Sequence, residues 1–280
     1  MTTSYPLATW RLLITRPAAG ATNMALDEAI MQSLADGVGN PTLRFYQWDP
    51  PCLSLGYNQP WTDVDESACT RLGYDWVRRP TGGRAILHRD ELTYSVVVGA
   101  GEPRVAGGIV ESYRRLSQGL LTGLRILGTD VFQTQEKKNG NLQQGAACFD
   151  TPSNYEITVE GKKLVGSAQV RRRGQVLQHG SLPLVGDLDG IFGCLRACAD
   201  ESQASTSRVQ RSSLRPYACT LGQALKRSVS FDEAATALAQ GFGDALNLRL
   251  EIGEVTEHEC VLTDHLCQMR YGNEEWNRRV

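Results

Sequence analysis

The sequence predicts an α+β fold, a mixed β-sheet with flanking helices and a small C-terminal helical appendage. Three observations predict it. Short apolar runs broken by Pro, Gly and Asp recur between residues 43 and 179, two longer stretches carry apolar residues at helical spacing, and two helix-start signatures open the last part of the chain.

In order, Met24, Ile30, Met31 and Leu34 recur at helical spacing over Asn23 to Leu34, with Thr22 or Asn23 as the cap of an amphipathic helix. Leu43 to Trp48 and Cys52 to Tyr57 read as strands, separated by Asp49-Pro50-Pro51 because proline cannot donate to a ladder. Tyr74 to Val77, Ala85 to Leu87 and Thr93 to Val98 add three more short runs. Leu116, Leu120, Leu121, Leu124 and Ile126 make the stripe of a second helix over Val110 to Leu127, and a polar loop, Gln133 to Gln144, follows it. Alternation then resumes. Tyr155 to Val159 turns at Glu160-Gly161 into Lys163 to Val165, and Ala168 to Arg172 turns at Arg173-Gly174 into Val176 to His179. Residues 200 to 215, rich in Ser, Arg and Gln, read as a mobile connection. The remainder reads as helical. Ser230 with Glu233 and Thr256 with Glu259 are capping boxes ahead of apolar runs. The expected division is a catalytic-sized domain at 1–215 and a helical extension packed on it at 216–280.

A chain of 280 residues can bury a full core. Its formal charge of −2 gives no broad electrostatic reason to expect nucleic acid or an anionic membrane as partner. No apolar run approaches the ~20 residues of a bilayer span, and Met1 to Leu13 lacks the basic start of a signal peptide. A cytoplasmic location is the expectation. The eight cysteines are too scattered for a secreted disulfide framework, and neither Cys194 with Cys198 nor the group His258, Cys260, His265 and Cys267 shows the paired spacing of a zinc site. No metal is expected.

Three constellations could carry chemistry. In Arg78-Arg79-Pro80-Thr81-Gly82-Gly83-Arg84, paired glycines let backbone approach a ligand and guanidinium groups bind carboxylate or phosphate. The same residues equally describe a tight hairpin turn with solvated arginines. In the second, Cys148 within Gly145 to Asp150 precedes Lys163 and Gly166-Ser167. A thiol becomes a nucleophile as thiolate and a nearby ammonium favours that charge, whereas a buried inert cysteine and a solvated lysine are the bland alternatives. The third is Gln178-His179-Gly180-Ser181, where histidine could accept a proton, bind a carboxyl end or simply hydrogen-bond a strand end, as could His88.

Together these segments, in this order and spacing, resemble the biotin and lipoate protein ligase superfamily. The resemblance runs from about Trp10, through Asn23 to Glu28, similar to the family's early helix, to Arg270 to Asn277, similar to its C-terminal ending. It implies a biotin/lipoate protein ligase-like fold over nearly the full chain. ATP-dependent ligases of the superfamily typically read R-R-x-[ST]-G-G-G and lack a cysteine in the later loop. Here Arg84 follows the two glycines and Cys148 occupies the loop. The chain thus looks like the cysteine-dependent octanoyltransferases acting on glycine cleavage H protein, and less like the amidotransferase branch around Gly82 to Ser95.

On this resemblance Cys148 maps to the acyl-thioester nucleophile and Lys163 to the lysine that lowers its pKa. Arg79, Thr81, Gly82, Gly83, His88, Gly166, Ser167, His179 and Gly180 map to the acyl and head-group pocket. The implied partners are acyl carrier protein as donor and a lipoyl-domain protein such as glycine cleavage H protein as acceptor. No cofactor is implied. ATP and Mg enter only on the alternative, a lipoate-protein ligase that forms lipoyl-adenylate.

Overall fold

A computed structural model describes residues 5–133, 156–196 and 213–280. The first half contains β1 (Ala8–Ile14), α1 (Gly20–Ala35), β2 (Thr42–Tyr46), β3 (Cys52–Leu55), α2 (Glu66–Leu72), β4 (Asp75–Arg78), β5 (Ile86–His88), β6 (Glu91–Gly99) and α3 (Ile109–Ile126). Then come β7 (Phe132–Gln133), β8 (Ile157–Val159), β9 (Lys162–Arg172), β10 (Gln175–Pro183), α4 (Leu221–Leu225), α5 (Phe231–Leu246), β11 (Leu248–Ile252), α6 (Glu257–Leu266) and α7 (Glu274–Asn277). The loop at Gln133 to Gln144, apart from its first residue, and most of the Ser-rich connection lie outside the described residues.

The fold is α+β, built on two sheets among the described residues. The larger runs β11-β1-β2-β6-β10-β9-β8-β7 and is mixed, since β1 is parallel to β11 and β2 while the pairings from β2 to β7 are antiparallel. The smaller runs β4-β3-β5. The two turns read from sequence occur: Glu160-Gly161 and Arg173-Gly174 all take positive φ, as two-residue hairpin turns between right-twisted strands require.

Alternation across the large sheet separates two layers. Leu92, Tyr94, Val96 and Val98 face α3 and α5, whereas Val97 and Leu177 face Leu26, Ile30 and Met31 of α1. Helices α3 and α5 approach backbone to backbone. A Cβ on Gly241 would strike the backbone of Gly119 and Gly123, and one on Gly123 would lie 2.7 Å from the Ala237 carbonyl oxygen.

Four local expectations are corrected. Helix α1 begins at Gly20 with Ala19 as its cap, so neither Thr22 nor Asn23 caps it; Asn23 instead donates to the Ala18 and Gln47 carbonyls at 3.0 Å. It is not amphipathic either. The large sheet covers one side and α6 the other, so Asn23, Asp27 and Glu28 are buried with the apolar residues. The Lys163 and Ala168 runs form one strand through Gly166-Ser167, because β10 pairs across that point. Finally, the C-terminal part contributes a strand as well as helices: β11 pairs with β1 from Ala8↔Leu248 to Leu12↔Ile252. Its five residues sit between two strong helix starts, which mask so short an alternation.

Among the described residues, no helix is long and apolar enough to cross a membrane.

Candidate active site

On the α1 side of the large sheet, between it and the small sheet, lies a cleft of about 410 Å³ including its mouth. Met24, Trp48 and Ile86 supply apolar wall, and Gly83, His88, Gly166, Ser167, His179 and Gly180, all singled out from sequence, line it with Arg79. Residues of α1, β2, β3, β5, β6, β9 and β10 thus converge on it.

The paired-glycine segment is not a hairpin. Strands β4 and β5 flank β3 on opposite sides, so residues 79–85 cross over the end of β3 and arrive at the cleft. Arg79 braces this crossover, donating to the carbonyl oxygens of Gly82 at 2.8 Å, Arg84 at 2.7 Å and Ser54 at 3.1 Å. Gly83 takes φ +92° and its carbonyl packs so closely on Gly56 that a side chain there would collide. Gly82 faces open space.

Two histidines stand in the cleft with the same wiring. His179 is bonded through Nε2 to Thr81 Oγ1 at 2.6 Å and through Nδ1 to Asp27 Oδ2 at 3.4 Å. His88 is bonded through Nε2 to Ser54 Oγ and through Nδ1 to Glu91 Oε1, both at 2.8 Å, and its ring stacks on Trp48 with centroids 4.0 Å apart. Glu91 also accepts from the hydroxyls of Thr93 and Ser181. Each imidazole therefore lies between a hydroxyl and a buried carboxylate.

Asp27 anchors the first of these. Its carboxylate accepts from Arg44 at 2.8 Å, Ser95 at 2.8 Å, Tyr46 at 2.9 Å and His179. Burial pushes its pKa up, but Arg44 and His179 outweigh burial and hold it below the ordinary 3.8. Burial lowers the His179 pKa from the ordinary 6.5, only partly opposed by Asp27, so the ring is neutral near pH 7 with Nδ1–H toward Asp27.

Both shifts are depressions, so both contribute stability at neutral pH that is lost toward acid. Below pH 6.5 the unfolded chain takes up a proton that buried His179 refuses, and below about 3.8 the same holds for Asp27. Unfolding free energy should fall between pH 7.5 and 5.5, with His179 supplying at most ~1.4 kcal/mol per pH unit. His179→Gln should flatten that limb in urea titrations at the two pH values. An unchanged limb would assign it to other groups.

Lys163 lies outside the cleft lining, near the start of β9 and three residues before Gly166. Its ammonium is buried and pairs with Glu156 Oε1 at 2.5 Å. Its backbone bonds Tyr217 and Cys219 on either side, tying the strand to the segment before α4. Cys148 lies outside the described residues.

Asp27, Ser54 and Glu91 are the members of this site that sequence reasoning missed. Asp27 carried one signal: it shares a helical stripe with Met24 and Met31, where a carboxylate is costly unless partnered. Among the described residues no group of three or more His, Cys, Asp or Glu side chains is arranged to hold a metal. The described cysteines are free, and Cys52, Cys69, Cys194 and Cys219 are buried.

Residues 19–243 match the lipoyl protein ligase A/B catalytic domain. The octanoyltransferase LipM of Kyrpidia tusciae is 46% identical over 98% of this chain and 100% of its own, and the octanoyltransferase LipM of Bacillus subtilis 38% identical over 96% and 98%. Among solved structures, lipoate-protein ligase A bound with ATP superposes with a TM-score of 0.78 at 28% identity, covering 97% of this chain and 99% of that one. The bi-partite lipoate protein ligase of Thermoplasma acidophilum gives a TM-score of 0.75 at 29% identity, covering 96% of each.

Proposed function

The chain belongs to the lipoyl protein ligase A/B catalytic domain family, and from that premise we propose that it is an octanoyltransferase of lipoate biosynthesis, moving an octanoyl group from acyl carrier protein through a Cys148 thioester to a lysine of glycine cleavage H protein. The observation that carries this reading is the near-complete alignment with octanoyltransferases. The partly apolar cleft, with an uncharged histidine on its wall, supports it.

The reaction divides into two exchanges. Cys148 thiolate attacks the donor thioester, its S–C bond forms, and the carrier thiol leaves as thiolate and takes a proton from solvent. The acceptor lysine then attacks the enzyme thioester, a C–N bond forms, and Cys148 leaves as thiolate. The buried Lys163 ammonium pairs with Glu156 Oε1 at 2.5 Å. That charge is the one proposed to favour the thiolate. Arg79, Thr81, Gly82, Gly83, His88, Gly166, Ser167, His179 and Gly180 line or shape the acyl site. Because the incoming thioester is already activated, the reaction uses no nucleotide, cofactor or metal.

The likeness to lipoate-protein ligase A bound with ATP favours a second reading, in which the same cleft forms lipoyl-adenylate. One experiment separates them. Purified protein incubated with octanoyl-acyl carrier protein and no ATP should gain one octanoyl group by intact mass and pass it to H protein. No mass gain, with adenylate formed from lipoate on adding Mg-ATP, would replace the transferase reading with the ligase one.

A further inference from the structure

We propose that the arginine cluster around Tyr57 and Trp276 is the docking surface for the donor carrier protein, which it meets through carboxylates on that protein's face; this rests on the acyl-transfer reading above.

Four guanidinium groups gather there. Arg279 lies over the Tyr57 ring at 3.9 Å from the centroid and Arg172 over the same ring at 5.3 Å, while Arg270 lies over Trp276 at 3.8 Å. The two rings meet edge to face at 5.7 Å. Beneath them the buried Arg78 guanidinium donates to carbonyl oxygens, those of Gly56, Tyr57, Gln59 and Asn277. Arg270 pairs with a carboxylate, Glu28 at 2.6 Å, but among the described residues Arg78, Arg172 and Arg279 form no ion pair. The excess positive charge acts on the Tyr57 phenol, which Arg279, with Arg172 and Arg270 adding, draws below its ordinary 10.0. This is a local reversal of sign on a chain of formal charge −2. Arg279 is exposed and Arg172 half-buried. A guanidinium stacked on an aromatic face is held in place while its N–H edge stays available to a planar carboxylate.

The patch adjoins the cleft without lining it. Tyr57 N–H donates to the Thr81 carbonyl at 2.8 Å, and Gly56 packs on Gly83, a cleft residue. Arg172 lies on the same face of β9 as cleft-lining Ala168 and ~13 Å farther along it at the usual strand rise. That offset selects the donor over the acceptor. A carrier protein presents its acyl thioester at the end of a long flexible prosthetic arm, so its body can rest to one side while the arm enters the cleft. An acceptor lysine reaches only a side chain's length and must bring its own backbone to the mouth.

The test follows acyl-enzyme formation by rapid quench and intact mass with octanoyl-acyl carrier protein and, separately, octanoyl-phosphopantetheine, the same thioester and phosphate without the protein body. The double variant Arg172→Glu, Arg279→Glu should raise the half-saturating concentration of the carrier donor about tenfold or more at low ionic strength, and the difference should shrink as salt screens the charges. The protein-free donor should change by less than about twofold. Arg172→Lys with Arg279→Lys should stay within severalfold of wild type, and Arg249→Glu, at an exposed site on β11, should match wild type. Should thermal unfolding show that the double variant does not fold, Arg279→Glu alone, at an exposed position, carries the same comparison with a severalfold rise. Equal loss with both donors, no loss with the carrier donor, or slowed transfer from preformed acyl-enzyme to H protein overturns the docking assignment while leaving the transferase reading in place. Wild-type protein that forms no acyl-enzyme from the carrier donor overturns both.

Discussion

Cys148→Ala should abolish the octanoyl mass gain and lower transfer to H protein by three orders of magnitude or more, on the order of what removing a covalent nucleophile costs elsewhere. Thiolate is the attacking form, and alanine leaves nothing at that position able to hold an acyl group. The serine variant should also fail, since its alkoxide is scarcely populated at neutral pH. Intact mass after exposure to the donor checks both. Undiminished transfer by Cys148→Ala would mean that the acyl group travels another way, and dependence on ATP would identify that way as an adenylate.

The second large effect is on stability. Asp27→Ala removes the carboxylate that meets buried Arg44 at 2.8 Å and also takes acceptors from Tyr46, Ser95 and His179. An uncompensated buried charge costs about 3–5 kcal/mol. Spread over a chain of this size, that lowers the unfolding midpoint by roughly 5–15 °C. Asp27→Asn should fall between, because it keeps an acceptor and loses the charge. Calorimetry of the two variants checks the order, and a loss below about 1 kcal/mol for alanine would show that Arg44 is held by its contacts to Asn23 and Thr15 instead.

Elements with strong periodicity were legible in the sequence. The α3 stripe, β2, β6 and the two glycine-bearing hairpin turns stand where the pattern puts them, because each combines a period with a local conformational demand. Strand β11 was not, since five residues provide too little alternation to compete with adjacent helix signals. The paired glycines marked a special backbone without revealing a crossover, because only the order β4-β3-β5 distinguishes that from a turn. The site divides similarly. His88 and His179 could be named from their motifs, whereas their carboxylate partners could not be chosen from sequence. His179 meets a residue 152 positions away on a helix, and no local pattern encodes that pairing.

The contact of α3 with α5 has a consequence for how lesions in this protein will present. Its three glycines leave no room for even a methyl group, yet they lie across the large sheet from the cleft. Damage at Gly241 should therefore lower the yield of folded protein while the surviving molecules keep normal specific activity, so quantity and quality of the enzyme are governed from opposite faces of one sheet.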